Sequence, residues 1–270
     1  MGKLERIHIE EILPLTPLQE GMLFHYLKNP ASNLYFEQLS LELSGEIDIQ
    51  RFEEAWDSVI KANEMLRTVF RWEKIERPIQ VVLKHHSLKK KYIDISNKEN
   101  HRKPQSVIDL KTDDINAKFD LHDVPFRVML IKITPNRHEL IISHHHILYD
   151  GWSNGIILGE FFYAYHHSVQ GEIPGKPAKT GFKEYLHWLQ TREPKAREIF
   201  WKEYLTGFET PAELSVKKTA GHEITAAERY RWKFTKDTRE RLEDFIQRYK
   251  STAAAVFYSA WGLVLQRYDN

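Results

Sequence analysis

Apolar residues recur along this chain with two periods, and the changes of period mark out the elements. Thr16 is a helix-capping residue type and Pro17 suits a first helical turn; Leu18, Met22, Leu23 and Tyr26 then follow at helical spacing, which predicts a helix over about 17–27. Asn29-Pro30 ends it, and Phe36, Leu39, Leu41 and Leu43 predict a strand over 35–43 closed by Ser44-Gly45. The stripe Phe52, Trp56, Val59 and Ile60 predicts a helix over 49–63. Short strands at 68–72 and 79–83 come next, then a polar segment at 96–103 and a helix near 105–118. A strand pair, 126–133 and 138–143, turns at Pro135-Asn136 and leads into a histidine-rich segment and a helix over 152–167. Helices are expected at 182–191, 194–205, 236–249 and 252–268, with a strand at 230–234. There is no internal repeat.

The stretch Gly171 to Lys179 holds two Gly and two Pro and is the expected boundary, giving a lobe over 1–175 and the start of a second over 176–270. The last predicted helix turns Ala253, Val256, Phe257, Trp261 and Leu265 inward, yet the chain stops two residues beyond it. So much apolar surface needs partners, and the second lobe is expected to continue past Asn270.

Composition narrows the classes. A chain 41% hydrophobic over 270 residues builds real cores rather than staying disordered. With 39 Lys and Arg against 38 Asp and Glu, nothing favours nucleic acid or an acidic membrane as the main partner. The absence of cysteine excludes disulfides, thiolate metal sites and a cysteine nucleophile. Met1 to Glu11 is too charged for a signal peptide, and no run reaches the roughly 18 apolar residues of a membrane helix, so a cytoplasmic location is expected.

The segment Ser143-His144-His145-His146-Ile147-Leu148-Tyr149-Asp150-Gly151-Trp152-Ser153 is the candidate for chemistry. An imidazole held where a strand gives way to a loop accepts a proton near neutral pH. Asp150-Gly151 suits a tight turn, and Gly151 lets a backbone approach a ligand without an intervening side chain. Such a site suits acyl transfer. The histidines also admit two other readings. A metal site is disfavoured, because neighbouring strand residues point to opposite faces and no Cys or H-E-x-x-H arrangement supplies further ligands. They also fit ordinary polar residues at a strand end.

His145-His146-Ile147-Leu148-Tyr149-Asp150-Gly151 is similar to the HHxxxDG signature of the condensation domains of nonribosomal peptide synthetases. The run from Leu15 to His25 resembles that family's first motif, Asn63 to Phe70 its second, written RHExLRTxF, and Tyr185 and Trp188 a fourth. The order and spacing agree with the family. The resemblance implies an α/β (α+β) fold, a chloramphenicol acetyltransferase-like lobe with a central mixed sheet and flanking helices, followed by an incomplete second lobe. It implies amide formation between a donor aminoacyl or peptidyl thioester and an acceptor amine. Both arrive on phosphopantetheine arms of an upstream donor and a downstream acceptor peptidyl carrier protein, beside an adenylation domain. No cofactor of its own and no metal are implied.

By the same resemblance, His146 binds and positions or deprotonates the amine, and His145 packs and hydrogen-bonds beside it; Gly151 either serves the backbone shape of the turn, the favoured reading, or offers its N–H to the developing oxyanion. Asp150 pairs with Arg67 to hold the loop, and Gln19-Glu20-Gly21 is either ordinary helix packing, the favoured reading, or lines or supports the channel. Asn63 stands where the family commonly has His, and His144 is an extra histidine, so the register rests on Asp150-Gly151. The missing part of the second lobe implies little condensation by this chain alone. Two other readings stay open: an epimerization domain, disfavoured because Trp152-Ser153-Asn154-Gly155 follows Gly151, and a noncatalytic carrier-docking or recruitment domain. Neither the amino acids joined nor the donor stereochemistry is legible.

Overall fold

The computed structural model describes residues 6–30, 32–170, 179–192, 194–209 and 232–269, which fall into two compact units, Met1–Arg192 and Glu193–Asn270. The first unit opens on β1 (Ile9–Pro14) and α1 (Pro17–Lys28). Thr16 caps α1 with a reciprocal pair: its hydroxyl accepts from the Gln19 N–H at 3.2 Å, and Gln19 Oε1 accepts from the Thr16 N–H at 2.9 Å. Next come β2 (Phe36–Ser44), α2 (Ile49–Ala62), β3 (Thr68–Arg71), β4 (Ile79–Leu83) and β5 (Lys89–Asp94). Then α3 (Lys103–Asn116), the hairpin β6 (Phe126–Thr134) and β7 (Arg137–His145), and α4 (Gly151–Val169) and α5 (Phe182–Gln190) complete the unit.

Four strands form a sheet in the order β2-β7-β6-β5; β5 runs parallel to β6 and the other pairs are antiparallel, so the sheet is mixed, as expected. Alternation along the central hairpin gives it two apolar faces. Phe126, Val128 and Leu130 of β6 and Leu140 and Ile142 of β7 pack with Phe52, Trp56, Val59 and Ile60 of α2 and Ile157 and Phe161 of α4. Trp56 stacks on Phe161 with centroids 4.7 Å apart. On the other face Met129, Ile131, Ile133 and Ile141 pack with Val107 and Leu110 of α3. A smaller antiparallel sheet, β1-β4-β3, joins α5 through Leu13, Val82, Leu186 and Phe182.

The second unit contributes α6 (Pro194–Tyr204), α7 (Lys236–Arg248) and α8 (Ala253–Asp269). Thr235 caps α7 by accepting from the Thr238 N–H at 3.2 Å, and Phe234 packs on Phe257 at 5.9 Å between centroids. The strand expected at 230–234 lies partly outside the described residues, and its described part, Trp232 to Phe234, has no strand pairing. Most of the expected boundary, 171–178, also lies outside them.

Candidate active site

The strand β7 delivers the histidines. Its register pairs Glu37 of β2 with His144 and Phe36 with His145. Parity along β7 puts His144 on the face of Leu140 and Ile142, and Ser143 on the face of α3, where its hydroxyl donates to Asp114. Asp114 is buried and also receives Gln38 Nε2 at 2.7 Å and Arg127 Nε at 2.6 Å; the Arg127 guanidinium lies 4.2 Å from the Phe119 ring. The last residue before the histidines is thereby tied to α3 and β6.

His144 and His145 are both fully or nearly fully buried, at 0% and 4% exposure. His144 stacks on Tyr149, centroids 3.9 Å apart and planes 18° apart, and neither of its ring nitrogens has a hydrogen-bond partner. His145 Nδ1 accepts from the Ile147 N–H at 3.1 Å, which closes the turn after the strand and leaves the ring proton on Nε2. Burial, reinforced by neighbouring imidazoles, lowers the pKa of His144 to about 3 and of His145 to about 4, so both are neutral at pH 7.

His146 differs from both. Its backbone N–H donates to the Tyr35 carbonyl at 2.8 Å, and its side chain is 28% exposed. Nδ1 lies 3.0 Å from Glu37 Oε1, within ion-pair reach but off the line of a hydrogen bond. Tyr35 holds φ at 64°, a left-handed conformation that is strained for a bulky residue, in the turn that places its carbonyl under His146.

The first-motif helix reaches the same loop. Gln19, 5% exposed, donates through Nε2 to the Ile147 carbonyl at 3.1 Å and exchanges bonds of 3.2 and 3.3 Å with Gln80, which donates to the Pro14 carbonyl at 2.8 Å. Of the expected segment Gln19-Glu20-Gly21, it is Gln19 that holds the histidine loop.

Two expectations at the loop's end are corrected. Asp150 and Gly151 do not form a tight turn; the turn lies at His146 and Ile147, and Asp150 is the N-cap of α4, accepting from the Ser153 N–H at 3.2 Å. Aspartate is among the strongest capping residues, and the following helix takes it. Nor does Asp150 pair with Arg67. The buried Arg67 guanidinium binds Glu10 of β1 and the carbonyls of Ile60 and Leu83, the Ile60 bond at 3.2 Å, so it joins the end of α2 to β1 and β4. These bonds engage the guanidinium through Nε and Nη1, away from Asp150. Glu10 was missed because its strand hides in a charged opening segment.

Gly151 is the first residue of α4, where a helix N–H has no intrahelical acceptor. Its φ is not left-handed, and a Cβ built there meets no atom within 4 Å. The local fold therefore does not require glycine.

Asn63, in the place of the family's usual histidine, donates to the Val59 carbonyl and to Glu160, both at 2.8 Å, and accepts from Lys179 at 2.6 Å. It thereby links α2 to α4. Next to it Glu64 accepts from the Phe182 N–H at 2.9 Å, at the start of α5. On α5, Tyr185 and Trp188 stack at 5.8 Å and are half exposed. A cavity of about 380 Å³ beside Tyr149 is lined by Met65, Leu66, Ile156 and Ile157, and another of about 260 Å³ by Tyr26, Leu34, Phe36, Phe119 and His145.

The family model of the condensation domain matches residues 9–270. The chain belongs to the condensation-domain family. It is 30% identical over 262 residues to surfactin synthase subunit 2 of Bacillus subtilis (strain 168), covering 97% of this chain and 7% of that protein. It is 30% identical over 272 residues to gramicidin S synthase 2 of Brevibacillus brevis, covering 100% of this chain and 6% of that one. The chain thus spans a small part of these relatives' length. The fold is that of the starter condensation domain of rhizomide synthetase RzmA, with a TM-score of 0.65 at 18% identity over 72% of this chain and 50% of that one. Within this condensation-domain chain, the described residues include no helix long and apolar enough to cross a membrane.

Proposed function

We propose that the site joins a donor acyl or aminoacyl thioester to an acceptor amine, with His146 as the group that binds the amine and takes or steers its proton. The observation that carries this reading is the contrast among three adjacent histidines: two are buried and held neutral, while the His146 side chain is partly exposed beside Glu37. A small ring rotation makes Nδ1–H a donor to Glu37 and leaves the Nε2 lone pair for the amine. The amine attacks the thioester carbonyl, the Gly151 N–H meets the oxyanion that develops, and the thiolate leaves as the amide forms. His145 shapes the turn. Asp150 and Arg67 hold the frame from separate places, one by capping α4 and the other by tying α2 to β1 and β4.

The same reading assigns the substrates to phosphopantetheine arms of a donor and an acceptor peptidyl carrier protein, with an adenylation domain in the same assembly, in the cytoplasm. The domain needs no cofactor of its own for this chemistry, since the thioester is already activated. Mass spectrometry of the protein that carries this chain, incubated with two loaded carriers, tests the reading. A dipeptidyl thioester on the acceptor carrier is the expected product; a D-configured aminoacyl thioester without joining would instead mark epimerization.

A further inference from the structure

Glu37 and His144 face each other across β2 and β7, and His146, two residues on from His144, reaches the same place from the turn. One ligand atom from each of the three lies within 4.8 Å of the others. His144 is wholly buried with both ring nitrogens unpartnered, whereas buried polar atoms nearly always have partners. The partnerless imidazole is covered on one side by Tyr149, and Glu37 and His146 keep 42% and 28% of their side chains exposed.

We propose that Glu37, His144 and His146 bind a divalent cation of the zinc class, and that the ion, by taking the His146 imidazole, blocks the site. Two imidazoles and one carboxylate form a donor set that suits zinc, cobalt, nickel or copper, whereas calcium and magnesium prefer oxygen ligands alone. Three protein ligands leave a fourth position for water. Bonds of about 2.0–2.2 Å to the ion require the three donors to draw together by roughly 1–2 Å. The partly exposed Glu37 and His146 side chains have the freedom to move in; His144 stays where the strand holds it. The blocking half rests on the function proposed above, while the binding half stands without it.

The test titrates Zn²⁺ alone into the 270-residue chain by calorimetry, with Co²⁺ absorption as a second readout of coordination. The expected result is one tight ion per chain and the intense visible bands of a four-coordinate Co²⁺ site. Glu37→Gln and His144→Phe should each weaken binding by about tenfold or more and remove the bands, while His101→Ala, at an exposed histidine, changes nothing. His144→Phe keeps a ring against Tyr149, and Glu37→Gln alters a partly exposed side chain, so the fold survives in at least one of them. No saturable binding, or binding unchanged in both variants, overturns the site. Zinc that binds at these residues without slowing amide formation overturns the blocking half alone.

Discussion

Three neighbouring histidines receive three different environments from one strand end, and the proposed chemistry rests on that difference. His144 is buried against Tyr149, His145 closes the turn onto the Ile147 N–H, and His146 emerges beside Glu37. Gly151 allows a sharp residue-level test, because its backbone is open to any residue and an added Cβ meets nothing. Gly151→Ala should leave the urea-unfolding free energy unchanged or raise it by up to about 1 kcal/mol, since alanine is the better helix former. On the proposed oxyanion role of the Gly151 N–H, amide formation should nevertheless fall, because the added methyl group crowds the oxyanion beside it. Asp150 is separable in the same way. Asp150→Asn keeps a capping oxygen and should match the wild type in stability, while Asp150→Ala should lose about 1 kcal/mol by the same measurement. A salt-bridge role would instead make the two variants equally costly.

Among the elements, α1 and the β7–α4 loop act as one piece through Gln19. Its amide closes the helix cap, binds the Ile147 carbonyl and exchanges two bonds with Gln80. Gln19→Leu keeps the side-chain size but strands that carbonyl and Gln80 in a buried place. It should destabilise the chain by about 1–3 kcal/mol and speed hydrogen exchange at the Leu148 N–H, which donates to His145 across the turn. The elements that periodicity exposed clearly, such as α2 with its Phe52-Trp56-Val59-Ile60 stripe and the β6–β7 hairpin, appear within a residue or two of their expected limits. Two strands were not legible. β1 reads Ile-Glu-Glu-Ile-Leu-Pro and pairs along one side only, with β4, so its charged positions disguise it. β5 reads Lys-Lys-Lys-Tyr-Ile-Asp and lies at the sheet edge, where charged residues are favoured and an apolar pattern is absent. Glu37 was illegible for a related reason: its partnership with His146 crosses from β2 to the turn after β7, and only strand pairing brings them together.

For the whole molecule, the mixed sheet and the family were legible because several motifs recur in order. The pairing implied for Asp150 and Arg67 was not, because each is held by partners of its own. The buried histidines make stability depend on pH. His144 and His145 titrate near 3 and 4 in the folded chain and near 6.5 when unfolded, so between these values the unfolded state binds more protons. Their contribution is therefore complete above pH 6.5 and is lost as the pH falls toward 4, at about 1.4 kcal/mol per pH unit for each. His86 and His138, lowered mainly by burial, add to the same slope. Urea midpoints at pH 7, 6 and 5 should fall steadily, and His144→Phe should flatten the trend. The proposed role gives the amine to His146 alone of the three histidines, and the rate of dipeptidyl thioester formation from two loaded carriers reads that role out. His146→Ala should lower this rate at least about a hundredfold with the urea midpoint kept; an undiminished rate in a folded variant would rule the assignment out.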